Sequence, residues 1–568
     1  MSRTLLFSAA LVGAAAVGCG SDAEEAGAAW SSTIVLSGDE SALFVANPDS
    51  GSVTAVDLPG GEVRWEVPVG GRPASLAVGG DGRVVHVSVG EASLLVALDA
   101  EDGSLLASAT SLREPRGLVE DVRRNRLFVA AQGESAVAAY GLPDLRFLGA
   151  VEVGSDPSGL ALDASGSILY ATHLRTGDLS VIDVAAGSLV QALETGPENN
   201  AARQVVLHPD GERAYLPLSR SRVESGRPTF ENTVMPRVVA VDLSARRIVP
   251  RELLGLDTID RPVGLPSSAD FSPDGSLLFV ANAASDDVSV VDLAAGLGVG
   301  HVDVGSNPQG IVVSGDGSTA WVHNALSDDV SVLDLAALEE VGRIVVTDNP
   351  LPDDVLAGKV LFHTSARPEM ARDGWISCAS CHLDGGHDGR TWVLEDGPRN
   401  TTPIRGLSAT FPFHWSGDRV DLFDFQRTIR EVQFGAGLSE EENSRLAAFL
   451  AFPEVPASPH PVDAAARRGE QVFAEAGCAT CHSGAALTDG LVHDVGTGSA
   501  AGEVRGPSFD TPTLLGLHDT APYLHDGSAP TLADVFAAPE GPHSLTGSTE
   551  EDVAALVAHL RTLPRTSS

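Results

Sequence analysis

The sequence predicts a multidomain protein: an all-β seven-bladed propeller, then a mostly α region built as two similar halves. Three observations carry this. A unit of about 40 residues recurs seven times before residue 347. After "TDNPLPDD" the hydrophobic spacing changes from alternation to the helical period. The helical region then holds Cys-x-x-Cys-His twice, at Cys378/Cys381/His382 and at Cys478/Cys481/His482.

The chain opens with a basic start at Arg3, a short apolar stretch and small residues up to Cys19, the layout of an export signal over 1–18. The ending A-V-G-C resembles a bacterial lipobox, which implies lipid on the Cys19 thiol and a polar tether over 19–30. Gly20 after the cysteine points to the outer membrane, so the expected location is the periplasm or cell envelope, held by a lipid anchor. Acidic residues number 77 against 37 basic ones, a net charge of −40 that excludes nucleic acid and anionic lipid as partners. Five cysteines are present. With Cys19 lipidated, the other four all lie in Cys-x-x-Cys-His, which leaves none for a structural disulfide.

The propeller is expected over 31–347. Units starting at Ala42, Val84, Arg126 and Ile168 follow one another at 42 residues, and those at Leu277 and Thr319 repeat that spacing. Each alternates apolar and polar residues over short runs parted by turns, four strands to a unit. Seven such blades close on themselves and leave few free edges. "FVANAASDDVSVVDL" resembles a YVTN-type repeat, found in exported propellers. Asp292 and Asp334, near the ends of their units, are expected to cap turns rather than bind metal. The irregular insertion Arg220 to Pro236 is a candidate surface for a protein or ligand, which makes the propeller a docking scaffold.

The helical halves are expected over 348–455 and 456–568, parted by the Pro-rich "FPEVPASPHP". Each ends in a helix behind a capping box, Ser439/Glu442 and Thr549/Asp552. Helix, Cys-x-x-Cys-His, loops and closing helix are the layout of a class I cytochrome c domain. Two thioethers anchor haem c and the adjacent histidine ligates iron, so two covalent haems are expected. A zinc site would pool all four thiolates and need no histidine, and a thioredoxin-like disulfide needs a βαβ setting that is absent.

The loops carry a closer likeness. G-P-R-N-T, F-H-W-S-G-D and A-P-Y-L-H-D-G-S, within about residues 350–565, resemble the bacterial di-haem cytochrome c peroxidase family, with its methylamine-utilisation di-haem members. The resemblance implies His382 and His482 as proximal iron ligands and Trp415 as an electron relay between haems. It implies calcium held by Asn400 with the carbonyls of Thr520 and Pro522, and His387 as distal ligand of the first haem. It places Glu431 as the acid/base of peroxide reduction, with electrons from a small periplasmic cytochrome c or cupredoxin. His414 and His525 are expected to pack around the site rather than ligate. The rival functions are a non-enzymatic electron-transfer module and a di-haem oxidase acting on a docked protein. One departure stands out. Classical members of that family place a methionine on the second iron, yet this chain has only Met1, Met235 and Met370. His543, in "AAPEGPHSLTG", is the expected substitute, with Tyr523 as the alternative.

Matured with cytochrome c assembly machinery, the chain should carry two haems that survive denaturation. Replacing Cys378 and Cys381 should remove one, and replacing Cys478 and Cys481 the other. Stoichiometric zinc without haem by metal analysis would exclude this assignment.

Overall fold

The computed structural model describes residues 28–224, 229, 232–257, 261–498, 501–537, 541–545 and 547–564. The expected signal peptide and Cys19 lie outside these residues. The chain divides into two compact units, Met1–Ser221 with Met235–Leu351, and Arg222–Val234 with Pro352–Ser568.

The first unit contains seven antiparallel sheets in chain order, the expected blades. Five have four strands; the fourth gains Ala29–Trp30, and the fifth has six, two nine-residue strands flanking its insertion and four of two residues. Burial departs from the expected alternation. Ala42–Asn47 is buried throughout, because a middle strand is covered on both faces by neighbouring blades, whereas the outer strand Leu105–Thr110 leaves Leu105 and Leu106 in solvent. Asp292 and Asp334 do cap turns, accepting from the amides of Ala295 and of Ala336 and Ala337.

A second polar motif lies deeper. Asn282 Nδ2 donates to Asp287 Oδ1 at 2.7 Å and Ser289 Oγ at 2.8 Å, and Asn324 repeats this with Asp329 and Ser331. Asn47 does the same with Ser52 and Thr54. The recurring "V-A-N…D-x-S" of the repeat is therefore a buried strand-to-strand clamp.

Apart from Ala29–Trp30 on the fourth sheet, each blade is made from consecutive strands, so the first and last blades share no strand. Residues 29–33 help to join the ring instead. They run among the first strands of the blades, which are the strands that meet at the axis. Ser31 exchanges hydrogen bonds with Leu160, and its carbonyl accepts from Gln204 Nε2 at 2.9 Å. The Ser32 carbonyl accepts from Leu76 N and Ser75 Oγ, and Thr33 Oγ1 meets His323 Nδ1 at 3.0 Å. Space for this strap comes from the recurring P-x-G. A Cβ on Gly117 would approach Ser31 Oγ to 2.7 Å, and one on Gly310 would approach Thr33 Oγ1 to 2.4 Å.

The second unit holds the helices α1 (Asp353–His363), α2 (Phe425–Val432), α3 (Glu440–Leu450), α4 (Ala464–Glu475), α5 (Leu532–Val535) and α6 (Glu550–Leu560). Both expected capping boxes form, at α3 and α6. Helix α1 packs on α3, and α4 packs on α6, by the same device. A Cβ on Gly358 would come within 1.9 Å of the Arg445 carbonyl, and one on Gly469 within 1.9 Å of the Ala555 carbonyl. Glycine lets the helix backbones touch, and an aromatic residue one turn on fills the flank: Phe362 against Phe449, ring centroids 5.2 Å apart, and Phe473 against His559 at 5.6 Å. Among the described residues no helix is long and apolar enough to cross a membrane.

The insertion proves to be a different object from the free surface expected of it. Its residues Arg222–Val234 belong to the second unit, where the Val393 amide donates to the Val223 carbonyl at 2.8 Å.

Gln204 generates a prediction for the propeller. Its side chain is buried and joins the Ser31 carbonyl to the Ala269 amide, which donates to Oε1 at 2.6 Å. Gln204→Ala leaves both groups unpaired and should cost about 2–4 kcal/mol of propeller stability. Thermal unfolding followed by circular dichroism checks this, and a shift within error would show that the strap does not stabilise the ring.

Candidate functional site

The two Cys-x-x-Cys-His sequences fold identically. In each, one 3₁₀ turn brings the Cys381 or Cys481 amide, and then the His382 or His482 amide, onto the carbonyl of the first cysteine, at 3.0–3.3 Å. Two thiols and an imidazole therefore issue from one turn, and all four thiols are free. In the first half burial pushes the Cys378 thiol up to about 11 and Cys381 well above its ordinary value. Burial likewise lowers His382 to about 4 and lowers His482, so each imidazole is neutral at neutral pH. His482 Nδ1 lies 3.2 Å from the Leu487 carbonyl, which fixes the tautomer with Nε2 as the free electron pair. This donor set fits haem c. It does not fit one pooled zinc site: among the described residues the one ligand-like cluster is Cys481, Asp489 and His493, which gathers a single thiol.

Each half also contributes one loop to a common seam, and the loops are alike. Pro403–Asp418 and Pro512–Ser528 share a 3₁₀ turn, a cis proline at Pro412 and Pro522, and positive φ at His414 and Leu524. The correspondence puts Trp415 and His525 at matching positions, and their rings meet, 6.4 Å between centroids at 70°. The Trp415 indole N–H donates to the Asn400 carbonyl at 2.8 Å, while its own carbonyl accepts from Asp510 N at 2.8 Å. His525 is buried, stacks on Phe509 at 3.8 Å and lies 3.6 Å from Glu503.

Asn400 stands at the centre of the seam. Its amide donates to the His525 carbonyl at 2.6 Å, and its Nδ2 donates to the Pro522 carbonyl at 2.6 Å. Its Oδ1 is buried with no partner. Beside it Arg399 and Glu503 form a buried ion pair at 2.8 Å. Burial opposes the charge on Glu503, but the Arg399 guanidinium holds its carboxyl below the usual range.

Two expected roles are corrected by their surroundings. Glu431 is half-exposed on α2 and bound to Arg419 and Arg427, a salt-bridged surface carboxylate. His387 is buried, but its Nε2 lies 2.8 Å from the Asp519 carbonyl and its Nδ1 accepts from Gly389 N at 3.1 Å. Both ring nitrogens are engaged, so His387 joins the two halves rather than presenting a nitrogen to iron. Tyr523 spends its hydroxyl on the Leu517 carbonyl at 2.6 Å. His414 lies against Asp418 and Thr428, a packing role. Thr520, like Pro522, lies on the second seam loop. His543 is part-buried, its pKa lowered by burial and by the neighbouring His482 imidazole, so the two imidazoles are within electrostatic reach.

Sequence reasoning missed Asp388. It is buried, accepts from Trp392 Nε1 at 2.9 Å and Arg390 N at 3.1 Å, and burial pushes it up to about 6. Its charge acts on the Cys381 thiol. Nothing in "GGHDGRTW" distinguishes it, because its burial depends on Trp392.

Comparison with known proteins agrees with this site. The cytochrome c family matches residues 466–564. The methylamine utilization protein MauG of Methylorubrum extorquens is 32% identical over 243 residues, covering 33% of this chain and 68% of that protein. Hydrazine synthase subunit gamma of Kuenenia stuttgartiensis is 28% identical, covering 34% of this chain and 72% of its own. Cytochrome c551 peroxidase of Nitrosomonas europaea is 25% identical, covering 36% and 78%.

Asp510, whose backbone holds Trp415, generates a pH prediction. Burial, reinforced by Asp489, pushes its carboxyl from 3.8 up to about 8. Between those values the unfolded chain has released this proton and the folded chain retains it, so the stability due to this group falls as pH rises from about 4 to 8. Asp510→Asn should match the parent in thermal midpoint near pH 4 and exceed it increasingly toward pH 8. A midpoint difference that is flat across this range would refute the shift.

Proposed function

The chain belongs to the family of the methylamine utilization protein MauG and cytochrome c551 peroxidase, di-haem oxidoreductases, and on that premise we propose that its helical unit reduces hydrogen peroxide. The observation that supports this reading is the pair of matching Cys-x-x-Cys-His turns joined by one seam, with Trp415 and His525 in contact across it. Haem c, when attached, supplies the iron redox chemistry that cleaves the O–O bond, with two electrons and two protons converting peroxide to two waters.

The chain's own residues do the rest. His382 and His482 are neutral donors, and the Leu487 carbonyl orients His482. Trp415 and His525 lie on the path between the halves. Asp388, rather than Glu431, is in this reading the carboxyl that holds and releases a proton near neutral pH beside the first site. Electrons come from a small periplasmic cytochrome c or cupredoxin, and Cys19 carries the lipid that keeps the protein at the cell envelope. Calcium fits at Asn400. Turning its side-chain amide would bring Oδ1 toward the Pro522 carbonyl, an oxygen pair that a cation reconciles, with the Thr520 carbonyl as a third ligand.

A second reading is oxidation of a docked protein. It is favoured by the identity to MauG, 32%, being higher than that to the peroxidase, 25%.

Fully haem-loaded protein should consume peroxide steadily with reduced cytochrome c, two donors oxidised per peroxide. Donor oxidation that stops after one turnover would favour the second reading over the first. His543 is the proposed sixth ligand of the second iron, given its nearness to His482. His543→Ala should convert one haem from low spin to high spin, and an unchanged spectrum would remove His543 from the site.

A further inference from the structure

The propeller's insertion returns to the chain's sequence between Ser221 and Met235, yet its ends lie in the second unit. Arg222 N donates to the Thr233 carbonyl at 2.7 Å, so the two ends form a paired ribbon. Val223 and Val234 on that ribbon join an apolar cluster of Trp375, Ile376, Trp392 and the Cys381 side chain. Val234 and Trp375 are almost wholly buried there. The Val223 carbonyl also accepts from Val393 N at 2.8 Å, on the hairpin Thr391–Leu394 with Gly397–Asn400. One strand of this hairpin carries Trp392, whose indole holds Asp388, and the other ends at Asn400.

We infer that Val223 and Val234, supplied from within the propeller's fifth sheet, form a wall of the first haem site on its Cys381 side and position Trp392 and Asp388. The chemistry is ordinary packing. Removing methyl groups from this wall leaves a void beside Trp392, loosens its indole from Asp388 and admits water to the thioether side. The insertion that interrupts the fifth sheet is therefore more than a docking surface: its residues Val223 and Val234 belong to the helical unit and complete the site there. This inference rests on haem attachment at Cys378 and Cys381, and it stands whether or not the protein turns over peroxide.

The test uses the full chain with both haems attached. In the double variant Val223→Ala/Val234→Ala, the first haem should shift in midpoint potential and bind cyanide severalfold faster, while the second haem keeps the parent values. Trp392→Phe, which retains the ring and loses the N–H, should move the first haem's potential in the same direction. A doubly haem-loaded variant in which both haems match the parent would overturn the inference. Should the double variant fail to mature, hydrogen exchange on the parent decides: slow exchange at the Val393 amide supports the wall, and exchange at the rate of an open loop refutes it.

Discussion

The seam between the two haem-binding halves is centred on one residue, Asn400. Asn400 reaches the second half through its amide and its Nδ2, and on the first half its carbonyl anchors the Trp415 indole. Neutral buried hydrogen bonds contribute about 0.5–1.5 kcal/mol each, but leaving such groups unmade costs about 1–3 kcal/mol apiece. The seam is therefore specified more by what it forbids than by what it gains. Any slip of one half on the other breaks two buried hydrogen bonds at once, those from the Asn400 amide and Nδ2 to the His525 and Pro522 carbonyls. The Arg399–Glu503 pair adjacent to it acts in the same sense, since a buried charge parted from its partner is far costlier than the pair is stabilising.

The sequence displayed the periodic and covalent features and concealed those that depend on distant contact. Seven blades followed from a 42-residue spacing, and the two haem-type turns from Cys-x-x-Cys-His, because repetition and adjacency are written along the chain. The capping boxes at Ser439 and Thr549 were legible for the same reason. Glu431 and His387 were misplaced because a motif match fixes a position along the chain and not its partners: Arg419 and the Asp519 carbonyl, which decide their roles, are respectively twelve and 132 residues away. Asp388 went unassigned because it owes its burial to an aromatic neighbour, Trp392. The helix crossings were hidden in single glycines, Gly358 and Gly469, that no spacing marks.

The propeller shows how a repeat is used twice. The glycines of the recurring P-x-G have a second duty at the axis, where Gly117 and Gly310 make room for the strap. A ring whose blades are each local in sequence has one junction, between first and last blade, that no strand exchange protects. The strap addresses this by hydrogen bonding to sheets on several sides of the axis, which converts a closure problem into a set of short buried contacts. It also means that the axis is filled by the protein's own chain between residues 29 and 33.

Duplication and divergence together explain why the two halves are suited to different tasks. The Cys-x-x-Cys-His turns, glycine crossings and seam loops are near copies, so the attachment chemistry is the same on both sides. Their environments are not. The first half is enclosed by Trp375, Trp392 and the ribbon residues Val223 and Val234, and its thiol and imidazole shift furthest, Cys378 to about 11 and His382 to about 4. In the second half Cys481 and His493 gather with Asp489 nearer to solvent. At the matched seam positions one copy carries an indole and the other an imidazole, Trp415 and His525. A dry site and a wetter, more polar one hold the same group at different potentials, because burial and nearby charge set the cost of the oxidised form. Under the proposed function, one fold placed twice in unequal surroundings would be enough to give electron flow between the halves a direction.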